Sequence, residues 1–340
     1  MKALPVEQAV GMMLGHDVTR IIPGGEKGPA FRKGHVIQLA DVPAFLDIGK
    51  RHVYVIDLPP GMLHEDEAAR RLAAAVAGPG LSLTAPVEGR INLVAARRGL
   101  LKIDVAALHR LNAVEDIVLA TVQTDHAVTT GRPVAGVRVI PLAVPETKLT
   151  VAEKICTEVF PLIQVKPFQA LRVGMVTTGS EVYQGRIEDK FGPVVRKKFE
   201  TLGSTVTRQI LVSDDVGMTV QAIRELIAEG ARMVVVTGGM SVDPDDRTPA
   251  AIRAAGAEVV TYGAPVFPGA MFMLGYIGDI PVLGLPGCVM YYRTSIFDLV
   301  VPRLAAGERL RREDITVLGH GGFCRGCEVC RYPACGFGCG

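Results

Sequence analysis

The chain has 340 residues, of which 49% are hydrophobic and 21% charged, and its formal net charge is +2. That balance excludes an intrinsically disordered chain, and a near-neutral charge with scattered Lys and Arg gives no nucleic-acid-binding surface. The length suffices for two or three domains with cores of their own.

The amino terminus, "MKALPVEQAVGMMLGHD", carries Glu7 and Asp17 and lacks an apolar core of signal-peptide length. No run approaches the ~18 apolar residues of a spanning helix. The expectation is a soluble, cytoplasmic protein with no membrane contact. Residues 1–145 mix short strands and helices and read as an α+β or β-rich region built on small sheets or a barrel. "HVYVID" (52–57), "DIVLATVQT" (116–124) and "VAGVRVIPLAV" (134–144) read as strands, and "DVAALHRLN" (104–112) as a helix.

Residues 146–170 read as a linker helix. Thr150 and Glu153 stand at capping-box spacing, Ile155 and Val159 continue one face, and Pro161 and Pro167 break the helix beyond them.

From residue 171 strand and helix alternate. "LRVGMVTT", "TVTRQILV", "RMVVVTGG", "EVVTYG" and "DIPVLGLPG" are strands. Helices are expected in "KFGPVVRKKFETLG", in "VGMTVQAIRELIAEG" with Val216, Val220, Ile223 and Ile227 on its buried face, in "PAAIRAAG", and through "YYRTSIFDLVVPRL". Arg196-Lys197-Lys198 is expected on a solvated helical face. The fold class over 171–310 is therefore α/β, a doubly wound, mostly parallel sheet.

Ligands of such sheets sit beyond the carboxyl ends of the strands. Three strand ends are marked by small residues: "TTGSE" (177–181), "TGGMS" (237–241) and "LPG" (285–287). Glycines let backbone N–H groups approach an anion, helix N-termini add partial positive charge, and Thr178, Ser180, Thr237 and Ser241 supply hydroxyls. Neither GxGxxG nor GxxxxGK[ST] occurs, which argues against ordinary dinucleotide or P-loop nucleotide binding. Yet Asp214 and Asp215 follow one strand, and Asp243, Asp245 and Asp246 follow another. A ligand suited to both features carries a phosphate and a donor-rich ring, with or without a bridging Mg²⁺. The alternatives are structural: Asp214 as a helix cap, and Thr248-Pro249 as an N-cap with proline at N1.

At these residues the sequence resembles the molybdopterin-binding domain shared by molybdopterin adenylyltransferases and molybdopterin molybdenumtransferases, the gephyrin-like family. The motifs are "TTGSEV", "ILVSDD", "TGGMSVDPDDRTP" and "PGAMFMLGYIGDIPVLGLPG". The resemblance implies molybdopterin or its adenylate as ligand, with Mg²⁺. It implies contacts from Thr178, Gly179, Ser180, Glu181, Asp214, Asp215, Gly238, Gly239, Ser241, Pro268, Gly269, Pro286 and Gly287. Asp246 and Asp243 take the catalytic positions. Molybdate or tungstate would be co-substrate, a molybdoenzyme or another cofactor-biosynthesis protein a partner, and a homodimer the assembly. The length resembles the molybdenumtransferase branch, as does "GHDVTRIIPGGEKGPAFRKGHVI" (15–37), in which His16, Asp17, Lys27, Arg32 and Lys33 could face an anion. A non-catalytic carrier or sensor of the cofactor is the alternative. Departures from the family pattern favour it: Ser180 stands where an acid is usual, and Asp243-Pro244-Asp245-Asp246 replaces Gly-Asp-x-Asp. Cys288-Val289 replaces Asn-Pro, and a "DxSAMDGYA"-type motif is absent.

Residues 311–340 form a Cys-rich tail. Cys324, Cys327, Cys330, Cys335 and Cys339 have the spacing Cys-x2-Cys-x2-Cys-x4-Cys-x3-Cys, which suits zinc or an iron–sulfur cluster on an otherwise flexible glycine-rich ribbon. Cys288, opening a helix, is either a thiolate lowered in pKa by the helix dipole or a small packed side chain.

Overall fold

The computed structural model describes residues 2–21 and 27–339, without the side chains of Arg20, Ile21 and Lys27. Lys27, offered above as an anion-facing cation, and residues 22–26 of that segment therefore lie outside the described residues. The chain divides into two compact units, the first reaching Val165, with residues 98–101 and 125–128 clustering with the second.

The first unit is built from small antiparallel sheets. Lys2–Pro5 pairs with His52–Val55 beside a core that includes Val6, Leu14, Ile37 and Phe45. A four-stranded sheet runs in the order Leu81–Leu83, Arg90–Ala95, Pro133–Val139, Ile117–Thr121. The stretch 134–144 is not one strand: Pro133–Val139 ends, and Ala143–Pro145 pairs elsewhere with Met62–His64. The helix Glu146–Val159 buries Leu149, Ala152, Ile155 and Cys156 and belongs to the first unit, where a linker was expected. It begins four residues before Thr150, whose hydroxyl donates to the Glu146 carbonyl at 3.2 Å, so Thr150 caps nothing. Lys33 is likewise engaged: its amine pairs with Asp66 and meets His64 Nδ1 at 2.7 Å, while its N–H donates to Asp17 Oδ1 at 2.7 Å.

The second unit carries a six-stranded sheet. In chain order its strands are β1 (Arg172–Thr178), β2 (Thr205–Val212), β3 (Met233–Thr237), β4 (Glu258–Tyr262), β5 (Met273–Ile277) and β6 (Ile280–Leu285). Its helices are α1 (Ser180–Tyr183), α2 (Phe191–Thr201), α3 (Val216–Ala228), α4 (Thr248–Ala254), α5 (Cys288–Tyr291), α6 (Ile296–Ala305) and α7 (Arg312–Thr316). The strand order is β2-β1-β3-β6-β5-β4, with β5 antiparallel to both neighbours and the other pairings parallel.

Strand β3 explains its own unbroken apolar run. Successive side chains alternate faces, and Met233 and Val235 enter one core with Phe199, Leu283 and Phe297, while Val234 and Val236 enter another with Ile223, Leu226 and Ile252. Both faces of the sheet are covered, as a doubly wound fold requires.

Four local expectations change. The buried stripe of α3 is Thr219, Ala222, Ile223 and Leu226, so Val216, Val220 and Ile227 sit at its margins. Strand β5 was not foreseen. The last helix is two, because Ser295 stops the chain between α5 and α6 and caps α6, its N–H donating to Asp298 Oδ2 at 2.9 Å. Finally, Arg196 and Lys198 are not simply solvated: Arg196 donates to the Val206 carbonyl at 2.9 Å, and Lys198 Nζ lies 2.9 and 2.8 Å from the two Asp298 oxygens.

The cysteine-rich tail is part of this unit. Phe323 bridges to Phe267, whose N–H donates to the Gly322 carbonyl and whose carbonyl accepts from the Cys324 N–H, both at 2.8 Å. Further on, Phe337 is buried in the core shared with Phe297 and Leu299, and Tyr332 donates to the Asp298 carbonyl at 3.1 Å. A free glycine-rich ribbon was expected; these two anchors are the reason it is not one.

Candidate ligand cavity at the strand ends

The loop after β3 is shaped by two glycines. Gly238 (φ +87°) and Gly239 (φ +55°) are both left-handed. A Cβ on Gly238 would lie 2.2 Å from the Thr178 carbonyl oxygen, so the ends of β1 and β3 approach closely only because this residue is glycine. Thr248 closes the loop from the other side, its hydroxyl donating to the Gly238 carbonyl at 2.8 Å and its N–H to the Gly239 carbonyl at 3.1 Å. Thr248 is the first residue of α4 and not its N-cap, a place taken by Arg247.

This loop forms one wall of a cavity of about 770 Å³. Gly238, Gly239, Met240, Ser241 and Asp246 line it from the β3 side. Pro286, Gly287 and Cys288 line it from the end of β6, and Pro268 and Gly269 from the connection between β4 and β5. Gly269 (φ +140°) has no room for a side chain, since a Cβ would meet the Ile296 Cβ at 2.5 Å. The remaining wall comes from the tail, through Phe323, Cys324, Arg325 and Gly326.

The polar inventory is small and oriented. Among the described residues no protein acceptor stands against the backbone N–H groups of Gly239, Met240 or Ser241, and all three residues line the cavity. Arg325 adds a guanidinium to the lining, and Asp246 adds its only carboxylate. The adjoining helices are too short to contribute a dipole of consequence: α1 and α5 have four residues each and α4 has seven.

The other sequence-derived candidates do not line this cavity. Thr178 is buried beneath the loop, its hydroxyl donating to the Thr237 carbonyl at 3.3 Å, and Gly179 is buried beside it. Ser180 turns to Asp214, and Glu181 is exposed away from the cavity. Asp214 is spent on the Ser180 turn. Asp215, not Asp214, caps α3, accepting from the Met218 N–H at 2.7 Å. Asp243 is exposed and accepts from the Asp245 N–H at 3.1 Å, within its own loop.

Cys288 lines the cavity half-buried, and burial pushes its thiol up, which goes against the first of the two alternatives above, a thiolate lowered by the helix dipole. Desolvation is the larger cause, and a four-residue helix offers little to oppose it. Among the described residues no three His, Cys, Asp or Glu side chains converge as the ligands of a single ion.

Residues 174–306 match the family described as "Probable molybdopterin binding domain". That match lies within the second unit and covers less than half of the chain. The cavity-lining segments from Gly238 to Cys288 all fall inside it, and the tail lies outside. Residues 3–57 match a domain of unknown function. Among curated proteins, the chain is 29% identical over 131 residues to a molybdopterin molybdenumtransferase of Staphylococcus aureus, covering 36% of this chain and 31% of that one. It is 31% identical over 83 residues to a molybdenum cofactor biosynthesis bifunctional protein of Synechococcus elongatus, covering 24% and 26%. A CinA-like protein of a Mycobacterium is 33% identical over 90 residues, covering 26% and 21%. The chain thus spans between a fifth and a third of the length of these relatives. Among solved structures, the molybdopterin biosynthesis enzyme MoaB of Thermus thermophilus aligns at 21% identity over 41% of this chain and 98% of that one, with a TM-score of 0.33.

Sequence reasoning located the glycine loop and the two proline-containing turns. It missed Arg325, Phe323 and Tyr292, which line the same cavity, because they come from outside the recognisable domain or from the break between α5 and α6. No helix among the described residues is long and apolar enough to cross a membrane.

Proposed function

We propose that the cavity binds molybdopterin or its adenylate, and that the protein acts in insertion of molybdate or tungstate, as a molybdopterin molybdenumtransferase-like enzyme. One observation carries this reading: the loop ends of β3 and β6 and the β4–β5 connection line a single cavity whose lining includes loop N–H groups, one guanidinium and, among the described residues, one carboxylate. The Gly239–Ser241 N–H groups and Arg325 suit the phosphate, and Asp246 suits either the donor edge of a pterin or a cation beside the phosphate.

Mg²⁺ fits as an ion brought by the substrate. A single carboxylate in the lining makes no protein cage, and Mg²⁺ is ordinarily held by one or two carboxylates together with substrate phosphates. Bound there, it would neutralise the phosphate charge during cleavage of the adenylate. The chain's own residues do the rest: loop N–H groups fix the phosphate and Asp246 holds a donor or cation beside it, while water or a molybdate oxygen attacks the phosphoanhydride and AMP leaves. Catalysis then rests on positioning, with no covalent nucleophile. Cytoplasmic action, a homodimeric assembly and hand-over to a molybdoenzyme or another cofactor-biosynthesis protein complete this reading.

Incubation with adenylated molybdopterin, Mg²⁺ and molybdate tests it. AMP release with metal insertion supports the enzyme. Tight binding without release supports a cofactor carrier or sensor, a second reading favoured by the tail residues Phe323–Gly326 that wall the cavity. Failure to bind removes both.

A further inference from the structure

A second cavity, of about 320 Å³, lies within the same unit, lined by the tail and by Tyr291, Tyr292, Arg293 and Thr294. Cys324, Cys327, Cys330 and Cys335 all line it. The loop that bears them is pinned at both ends. Upstream, the Cys324 N–H donates to the Phe267 carbonyl at 2.8 Å, and downstream, Phe337 sits in the core with Tyr332 packed against it. Four thiols are thus held around one space by contacts that do not depend on the thiols themselves.

The shape of that space discriminates between occupants. A tetrahedral zinc ion draws its four sulfurs to within ~2.3 Å of one point, leaving no room between them. Here the four cysteines line one cavity, yet no three donors among the described residues converge as a single ion needs. A cluster that brings its own iron and sulfide fills the centre and is bound by cysteines standing further apart. The surroundings suit its charge as well. A cluster with four thiolate ligands is anionic, and Arg293 and Arg331 line the cavity against one carboxylate, Glu328. Thr294 Oγ1 lies 3.2 Å from Cys330 Sγ, within reach to donate a hydrogen bond to a ligating sulfur. Cys339 is different: its thiol donates to the Cys335 carbonyl at 3.2 Å, and it does not line the cavity.

We propose that Cys324, Cys327, Cys330 and Cys335 hold an iron–sulfur cluster, with Cys339 outside the ligand set. The inference does not rest on the pterin reading. It does place the cluster beside the ligand cavity, because Tyr292, Cys324 and Gly326 line both.

The test is anaerobic reconstitution of the full chain with ferrous iron and sulfide, in competition with zinc. Iron and acid-labile sulfide are counted per chain, with visible absorption and electron paramagnetic resonance after dithionite reduction. Equal iron and sulfide, one cluster per chain, is expected. Cys327→Ser and Cys330→Ser should lose most of the iron, while Cys339→Ser and Cys156→Ser keep it. Cys327 is exposed, so its variant should keep the circular dichroism and melting transition of the unloaded protein, which separates lost ligation from lost folding. Stoichiometric zinc without sulfide overturns the proposal. So does failure to take up either metal, or a Cys339→Ser defect equal to that of Cys327→Ser.

Discussion

Asp214 Oδ2 accepts two hydrogen bonds from one residue, the Ser180 N–H at 2.8 Å and the Ser180 hydroxyl at 2.9 Å. Ser180 Oγ also lies 2.9 Å from Ser213 Oγ, so the turn after β1 is fastened to the turn after β2. A carboxylate in place of Ser180 would face Asp214 directly, so the pairing requires a donor at this position. Asp214→Ala leaves the Ser180 N–H without its acceptor and should cost about 1–2 kcal/mol of stability in a urea melt. Affinity for adenylated molybdopterin should change much less, since neither residue lines the cavity.

Asp246 lines the cavity from the β3 side and is only half-buried, so its loss should not disturb folding. Asp246→Ala is expected to slow AMP release from the adenylate at least about tenfold, roughly 1.4 kcal/mol, with an unchanged melting transition. Wild-type binding and turnover in that variant would remove the assignment. Arg325→Ala should instead weaken binding, by about 1.5–3 kcal/mol if the guanidinium bonds the phosphate, with a smaller salt dependence than the parent protein.

The two domains differ in how far they could be read from residues alone, and β3 shows why. An unbroken run of Met233–Thr237 has one explanation, burial on both faces, and needs no partner to be recognised. The stripe of α3 was displaced by about one position because its centre is filled by Thr219 and Ala222, which carry little weight in an apolar pattern but pack closely under neighbouring strands. Strand β5 had a usable signal in Gly278-Asp279, the two-residue turn between Ile277 and Ile280, but its flanking "GAMFMLG" reads as a motif before it reads as a strand. The tail wall of the cavity had none: a bridge between Phe267 and Phe323 joins residues far apart in sequence, and local periodicity carries no trace of it. Among the site candidates, Asp246 and Asp243 were given catalytic positions, and Asp214 and Asp215 ligand contacts with capping as the alternative for Asp214; that Asp214, Asp215 and Asp243 instead accept from the chain's own N–H groups is invisible until the turns are built.

Two glycines of the cavity should respond in opposite ways. Gly238→Ala forces a side chain into a left-handed backbone and against the Thr178 carbonyl, and should destabilise the domain by about 3 kcal/mol or more in chemical denaturation. Gly287 has φ −53° and ψ −28°, and a Cβ there would meet nothing within 4 Å. Gly287→Ala should therefore leave stability within about 0.5 kcal/mol of the parent. Gly287→Phe should fold as well, but by filling the cavity it should reduce affinity for adenylated molybdopterin about tenfold or more in a binding titration.

The first unit supplies a prediction about acid stability. Arg71 donates from Nε to Glu153 Oε1 and from Nη2 to Glu153 Oε2, both at 2.8 Å, and from Nη1 to Glu146 at 2.6 Å. The paired guanidinium holds the Glu153 carboxyl below the usual glutamate range. Because the folded-state value is depressed, the folded protein binds a proton less readily than the unfolded chain. The contribution is therefore present above the ordinary glutamate pKa and lost as pH falls through the depressed one. Both side chains keep about 30% of their surface exposed (29% for Arg71, 31% for Glu153), so solvent limits the effect to about 1 kcal/mol. Glu153→Gln should remove that stability at neutral pH and flatten the acid limb of the unfolding midpoint, measured by urea titration at successive pH values. A variant whose acid limb kept the slope of the parent would show that other carboxylates govern it.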